Sequence, residues 1–253
     1  MNQMYFEWST TIWNPVTSYT LISEQLEEPL KWKKHRRVLV CSTGDLFYKS
    51  VEEKFIAKIF AIMDLAKQHT YYVLTKYPER AFRLLTSEDF QFYIGWFQSQ
   101  VIKEFKLPEP KNIEQWQWPF SNVWVGVTAE NQEMANKRIP ILLQIPAAIR
   151  FVSCNPLLGP IDLTRIAYDD ITVIDALRGL HGMSLPHIKG LKLNLVIVGN
   201  ETSLNTQPCH SDWVRILRNQ CKVTNTAFFY IYRRELLNED RKNKHRAYTQ
   251  ISG

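Results

Sequence analysis

Long apolar runs are missing from the 253 residues of this chain. No stretch reaches the roughly 18 apolar residues that a membrane span needs, so no membrane partner is expected. Cysteine is scarce as well. Cys41, Cys154, Cys209 and Cys221 stand far apart and form no Cys-x-x-Cys pair, which argues against a structural zinc site or a redox pair. No histidine pair has metal-ligand spacing. No Gly-x-Gly-x-x-Gly and no phosphate-loop motif occur, so the usual dinucleotide and NTP cradles are excluded. Gly-x-Ser-x-Gly is absent too, which leaves a hydrolase elbow without support. The segment Met1 to Trp13 has no basic n-region followed by an apolar core, so no signal peptide is expected and the expected compartment is the cytoplasm.

What is present suits a large buried core. Hydrophobic residues make up 45% of the chain and are spread along it. The net charge is +6, an excess that favours polyanionic partners without requiring one. Basic residues cluster at Lys31, Lys33, Lys34, His35, Arg36 and Arg37, and again from Arg233 to Arg246. Cys41 and Cys154 sit in apolar strand patterns and Cys221 in a helical one, so buried reduced thiols are expected.

Short β-rich runs recur along the chain and end in small or polar residues. They cover 37–42, 71–76, 123–128, 149–153, 193–199 and 227–232, with Glu7-Trp8 as a short initial strand. These runs are apolar throughout rather than alternating, as expected of a sheet covered by helices. Helical patterns lie between them. Val51, Phe55, Ile59 and Met63 repeat at i, i+4, which predicts a helix over 51–67 with Ser50 as N-cap. Pro78 opens another helix, and further ones are expected over 86–105, 132–143 and from Ser211. A short helix is expected at 170–179, and residues 234–253 read as a charged, loosely held tail.

Alternation of strand and helix implies parallel strands with right-handed crossovers. The expected fold class is α/β: one domain over 1–253, an open parallel (β/α) barrel (partial TIM-like) of six or seven βα units, with a doubly wound sheet as the other option.

Candidate site residues follow from this order, because parallel strands put all their C-terminal ends on the ligand-binding side. The residues placed there are Ser42 and Asp45, Thr75 and Lys76, Thr128 and Glu130, Ser153 and Asn155, and Gly199 with Glu201. The mouth of that site is expected either to stand open or to be refilled, with the aromatic segment Met4 to Trp13 and the loop Trp116-Gln117-Trp118 as the available fillers.

Several stretches carry a family likeness. They are Trp13-Asn14-Pro15-Val16-Thr17, Pro29-Leu30-Lys31-Trp32-Lys33-Lys34, Asp45-Leu46-Phe47 and Val73-Leu74-Thr75-Lys76 with Pro78-Glu79-Arg80. Later ones are Asn122 to Thr128, Arg150 to Pro160, Val196 to Gly199 and Asp212-Trp213-Val214-Arg215. In these the chain resembles a family of phage and prophage proteins that look like radical S-adenosylmethionine enzymes.

Members that look active follow Trp-Asn-Pro-Val-Thr with three closely spaced cysteines, the ligands of a [4Fe–4S] cluster. Here Thr17 is followed by Ser18-Tyr19-Thr20-Leu21, and no cysteine precedes Cys41. The family's Gly-Gly-Glu reads Gly199-Asn200-Glu201, and Asn155 stands where the family has Glu. The Lys-Gln-Trp usual after the last strand is replaced near Tyr230-Ile231-Tyr232.

The resemblance therefore implies a radical-SAM-like scaffold without its radical chemistry. No iron–sulfur cluster is expected, and S-adenosylmethionine stays open as a ligand. Expected partners are a nucleotide, a nucleic acid or a host protein. The alternative is a cluster-independent enzyme using Asp45, Lys76, Glu130 and Glu201 as acid/base groups, and a third reading is a remnant without function.

Overall fold

The computed structural model describes residues 6–8, 11–14, 18–21, 26–41, 44–108, 117–181, 190–199, 210–232 and 248–250. The fold is α/β, with parallel strands alternating with helices as in a partial open (β/α) barrel. The chain forms two compact units: 1–126 with 145–149, and 127–144 with 150–253.

In the first unit the parallel strands are β1 (Phe6–Trp8), β4 (Arg37–Val40) and β5 (Thr70–Thr75), joined by the start of β6 (Val123–Thr128). Phe6 pairs with Val38 and Val38 with Tyr71, so the strands run in register. A separate antiparallel hairpin joins β2 (Thr11–Asn14) to β3 (Ser18–Leu21). The residues that directly follow Thr17, where the resembled family carries its three cysteines, are thus a β-strand.

The helices of this unit are α1 (Glu28–Lys31), α2 (Glu53–Leu65), α3 (Pro78–Leu85) and α4 (Glu88–Phe105). Helix α2 starts at Glu53 with Glu52 as N-cap, not at Ser50. Its apolar spacing buries Ile56, Ile59, Phe60 and Met63. Helix α4 is capped by Ser87, whose Oγ accepts from the Phe90 amide. Phe60 is the aromatic hub, with ring centroids 6.5 Å from Phe47, 5.9 Å from Phe90 and 6.0 Å from Trp118. Trp118 is one of the side chains available to refill the mouth of the site. It packs on Phe60 and Phe120 and donates to the Leu85 carbonyl, because an indole in a core needs an acceptor for its N–H. Residues 109–116 and the side chains of 4–13 lie outside what is described.

The second unit holds the end of β6, then α5 (Gln132–Gln144), β7 (Ile149–Cys154), β11 (Leu195–Gly199), α6 (Ser211–Thr224) and β12 (Ala227–Tyr232). Strand β11 pairs in parallel with β7 and with β12, and β13 (Tyr248–Gln250) closes antiparallel on β12. Helix α6 begins at Ser211, as its sequence predicts, and buries Leu217 and Cys221. Gln220 ties it down: its amide accepts from the Leu163 N–H and donates to the Ile161 carbonyl.

Where a helix is expected at 170–179, the chain instead makes a small antiparallel sheet of β8 (Ile166–Ala167), β9 (Val173–Asp175) and β10 (Leu180–His181). Asp169 is the physical reason. Its carboxylate accepts from the Ile171 and Thr172 amides and turns the chain before a helix can start. Residues 173–175 are then exposed, buried and half-buried in turn, a period-two pattern.

Candidate functional site

Asp45 lies beyond β4 and is buried, 8% exposed. Its Oδ1 accepts from the Phe47 amide at 2.9 Å and from the Thr75 hydroxyl at 2.8 Å. Its Oδ2 accepts from the Lys76 amide at 2.7 Å. Thr75 Oγ1 in turn accepts from the Tyr77 amide. One carboxylate thus fastens the loop after β4 to the end of β5. Arg80, on α3, closes the same loop from below by donating to the carbonyls of Phe47, Tyr48 and Val51.

Burial raises the Asp45 carboxyl above its ordinary value, and the three hydrogen bonds and the Lys76 charge only partly oppose this. Burial likewise lowers the Arg80 guanidinium. The Lys76 side chain is exposed. The strand-end order expects it at the mouth, paired with a carboxylate where water is partly excluded and otherwise at a solvated rim. It is the backbone N–H of Lys76 that donates to Asp45.

In the second unit the centre is Arg138. Its Nη1 donates to the Thr128 carbonyl at 2.9 Å, to Thr128 Oγ1 at 2.8 Å and to Glu130 at 2.9 Å. The pair is well shielded, with side chains 12% and 15% exposed. Among the described residues, Nε and Nη2 of Arg138 make no hydrogen bond, so part of its five-donor fork is uncommitted. Asn131 Oδ1 caps α5 by accepting from the Met134 amide.

The segment 155–159 crosses these strand ends. The Leu157 amide donates to the Gly199 carbonyl at 3.2 Å and the Leu158 amide to the Glu130 carbonyl at 2.8 Å. Ser153, buried in β7, accepts through its carbonyl from the Ala129 amide. The Asn155 side chain lies against Gly199.

Of the residues named from sequence, Asp45, Thr75 and Lys76 therefore meet in the first unit. Thr128 and Glu130 meet in the second, where Asn155 meets Gly199 and Ser153 is held beside Ala129. Ser42 and Glu201 lie outside the described residues. Arg138 and Arg80 were missed. Each is an arginine on the helix that follows a strand, a weak signal, since most helical arginines face solvent.

Cys41, Cys154 and Cys221 are each buried and in no disulfide. Cys41 does not continue β4 but follows it with φ of 57°, a left-handed conformation. Among the described residues, no three His, Cys, Asp or Glu side chains gather as a metal site would require. Among them, too, no helix is long and apolar enough to cross a membrane.

No curated protein and no solved structure matches the chain. A family model does match, over residues 2–253, and the chain belongs to that family, described as a protein of unknown function (DUF5131).

Proposed function

From a family whose description assigns no activity, we propose a function: a radical-SAM-like protein of phage or prophage type that works without a cluster, as a non-radical binding protein. Its ligand is a nucleotide or the nucleoside sulfonium S-adenosylmethionine, taken at the C-terminal strand ends. Arg138 carries this reading. Among the described residues it anchors Thr128 and Glu130 through Nη1 alone, which leaves planar donors of the kind that bind phosphate or carboxylate in two-pronged fashion.

A thermal-shift screen of the full chain with S-adenosylmethionine, nucleotides and short nucleic acids tests it. A nucleotide at a hundredfold excess over its Kd adds about 2.7 kcal/mol of stability. The expected result is a shift that Arg138→Gln removes. A chain that no nucleotide stabilises, or a shift indifferent to Arg138→Gln, overturns the reading.

One observation favours the second reading, a cluster-independent enzyme: burial raises Asp45 toward the range useful for proton transfer. That reading requires Asp45→Asn to abolish turnover while nucleotide binding survives.

A further inference from the structure

We propose that the segment Lys31–Arg37 is a docking platform for the phosphodiester backbone of a nucleic acid. It lies at the N-terminal end of β4, the opposite end of the strand from Asp45, and so is separate from the strand-end site. Five of its seven residues are Lys or Arg. A run of this kind is ordinarily a solvated, mobile surface, but here two observations say otherwise.

The first is that the segment is anchored. Trp32 packs edge-on against His69 at 5.4 Å, and the Arg36 guanidinium lies 4.5 Å from the Trp32 ring. The Arg36 amide donates to His69 Nδ1, so Nε2 carries the proton and donates to the Pro29 carbonyl at 3.1 Å. His35 Nδ1 donates to the Gln68 carbonyl at 2.6 Å, and Gln68 Nε2 donates back to the Trp32 carbonyl at 3.4 Å. The backbone that carries the cations is thus tied to the start of β5 by groups that do not themselves neutralise charge.

The second is that the outward cations are uncompensated. Lys33, Lys34 and Arg37 are exposed, and among the described residues none pairs with an acid. Their neighbours differ: Lys31 pairs with Glu28, Lys58 with Glu27 and Lys67 with Asp64. Leaving like charges side by side on a fixed segment is unfavourable for the isolated chain and favourable only with a polyanion. A pre-ordered array loses less entropy on binding than a loose tail does. A nucleic acid suits the platform better than a bilayer. The one apolar side chain, Trp32, is turned onto His69 and under Arg36, so nothing apolar is offered for insertion.

Fluorescence polarisation of the full chain with a short labelled oligonucleotide, single-stranded and duplex, over a salt series tests this. Binding should weaken linearly with log salt. The triple variant Lys33→Gln, Lys34→Gln, Arg37→Gln should lower that slope by about 0.9 per contact on duplex and about 0.7 on single strand. Because all three side chains are exposed, its melting temperature should stay that of the parent. A charge-matched control, Lys103→Gln, Arg218→Gln, Lys222→Gln, should leave the slope unchanged. Three outcomes overturn the proposal: no oligonucleotide binding at low salt, equal loss in both triple variants, or retention on phosphatidylserine vesicles without oligonucleotide binding.

Discussion

The amide of Asn155 occupies the space that a side chain at position 199 would need. A Cβ built on Gly199 would stand 2.6 Å from Asn155 Oδ1 and 2.7 Å from its Cγ. Gly199→Ala should therefore destabilise by about 1–3 kcal/mol, the usual range for overpacking. Adding Asn155→Ala should recover part of that loss, since the clash needs both groups. Denaturant unfolding of the two single variants and the double variant checks it; additive losses would mean that the two residues do not compete for space.

Asp45 should discriminate between its two simplest replacements. Alanine leaves the Phe47 and Lys76 amides and the Thr75 hydroxyl without their acceptor. Each buried donor so stranded costs about 1–3 kcal/mol, so Asp45→Ala should lose well over 2 kcal/mol. Asparagine keeps one acceptor oxygen and should lose less. Equal stability of the two variants would show that the carboxylate is not the fastener.

The same residue gives a pH dependence of defined sign. Its folded value lies above its ordinary 3.8, so the folded state binds the proton more tightly than the unfolded chain does. Wild type should accordingly gain stability relative to Asp45→Asn as pH falls from the raised folded value toward 3.8. Melting curves of both proteins across that window measure the difference, and a loss in wild type would reverse the assignment.

His69 acts in the opposite direction. Burial holds its imidazole below the ordinary 6.5, helped by the charges of His35 and Arg36 and opposed by the hydrogen bond to Pro29. The folded state then binds fewer protons, so this contribution is complete above pH 6.5 and is lost as pH falls toward the depressed folded value. NMR of the ring nitrogens should show a neutral imidazole protonated at Nε2 at pH 6.5. A fully charged ring there would sink both this and the anchoring of Trp32 to Arg37.

Thiol labelling should be slow at the buried cysteines. Cys221 has its thiol pushed up to about 12 by burial, and Cys41 and Cys154 are buried too. In a Cys209→Ser background, a thiol reagent at pH 8 should label the native chain far more slowly than the denatured chain. Rapid reaction without unfolding would contradict the burial.

Much of the fold was legible because burial of both sheet faces writes itself as short apolar runs. Val123–Thr128 and Ala227–Tyr232 coincide with the strands expected, and Pro78 and Ser211 open helices as predicted. The strand-end rule alone was enough to name Asp45, Thr75, Thr128 and Glu130, since parallel order fixes which end of a strand faces the ligand side. The failures were local contests between patterns. Ser50 is a good cap by type, yet the helix begins at Glu53. The apolar spacing of 170–179 fits a helix, yet the Asp169 turn commits it to strands.

Which partner each charged group has could not be read from the chain at all. That Arg138 spans Thr128 and Glu130, that Arg80 gathers three carbonyls, and that among the described residues Lys33, Lys34 and Arg37 have no acid while Lys31 has one, depend on distances of a few ångströms between residues up to 33 positions apart. Periodicity places a residue on a face and an element in order. Only the packed structure decides what that face meets, because hydrogen bonds and ion pairs fall off over a shorter distance than any sequence pattern can specify.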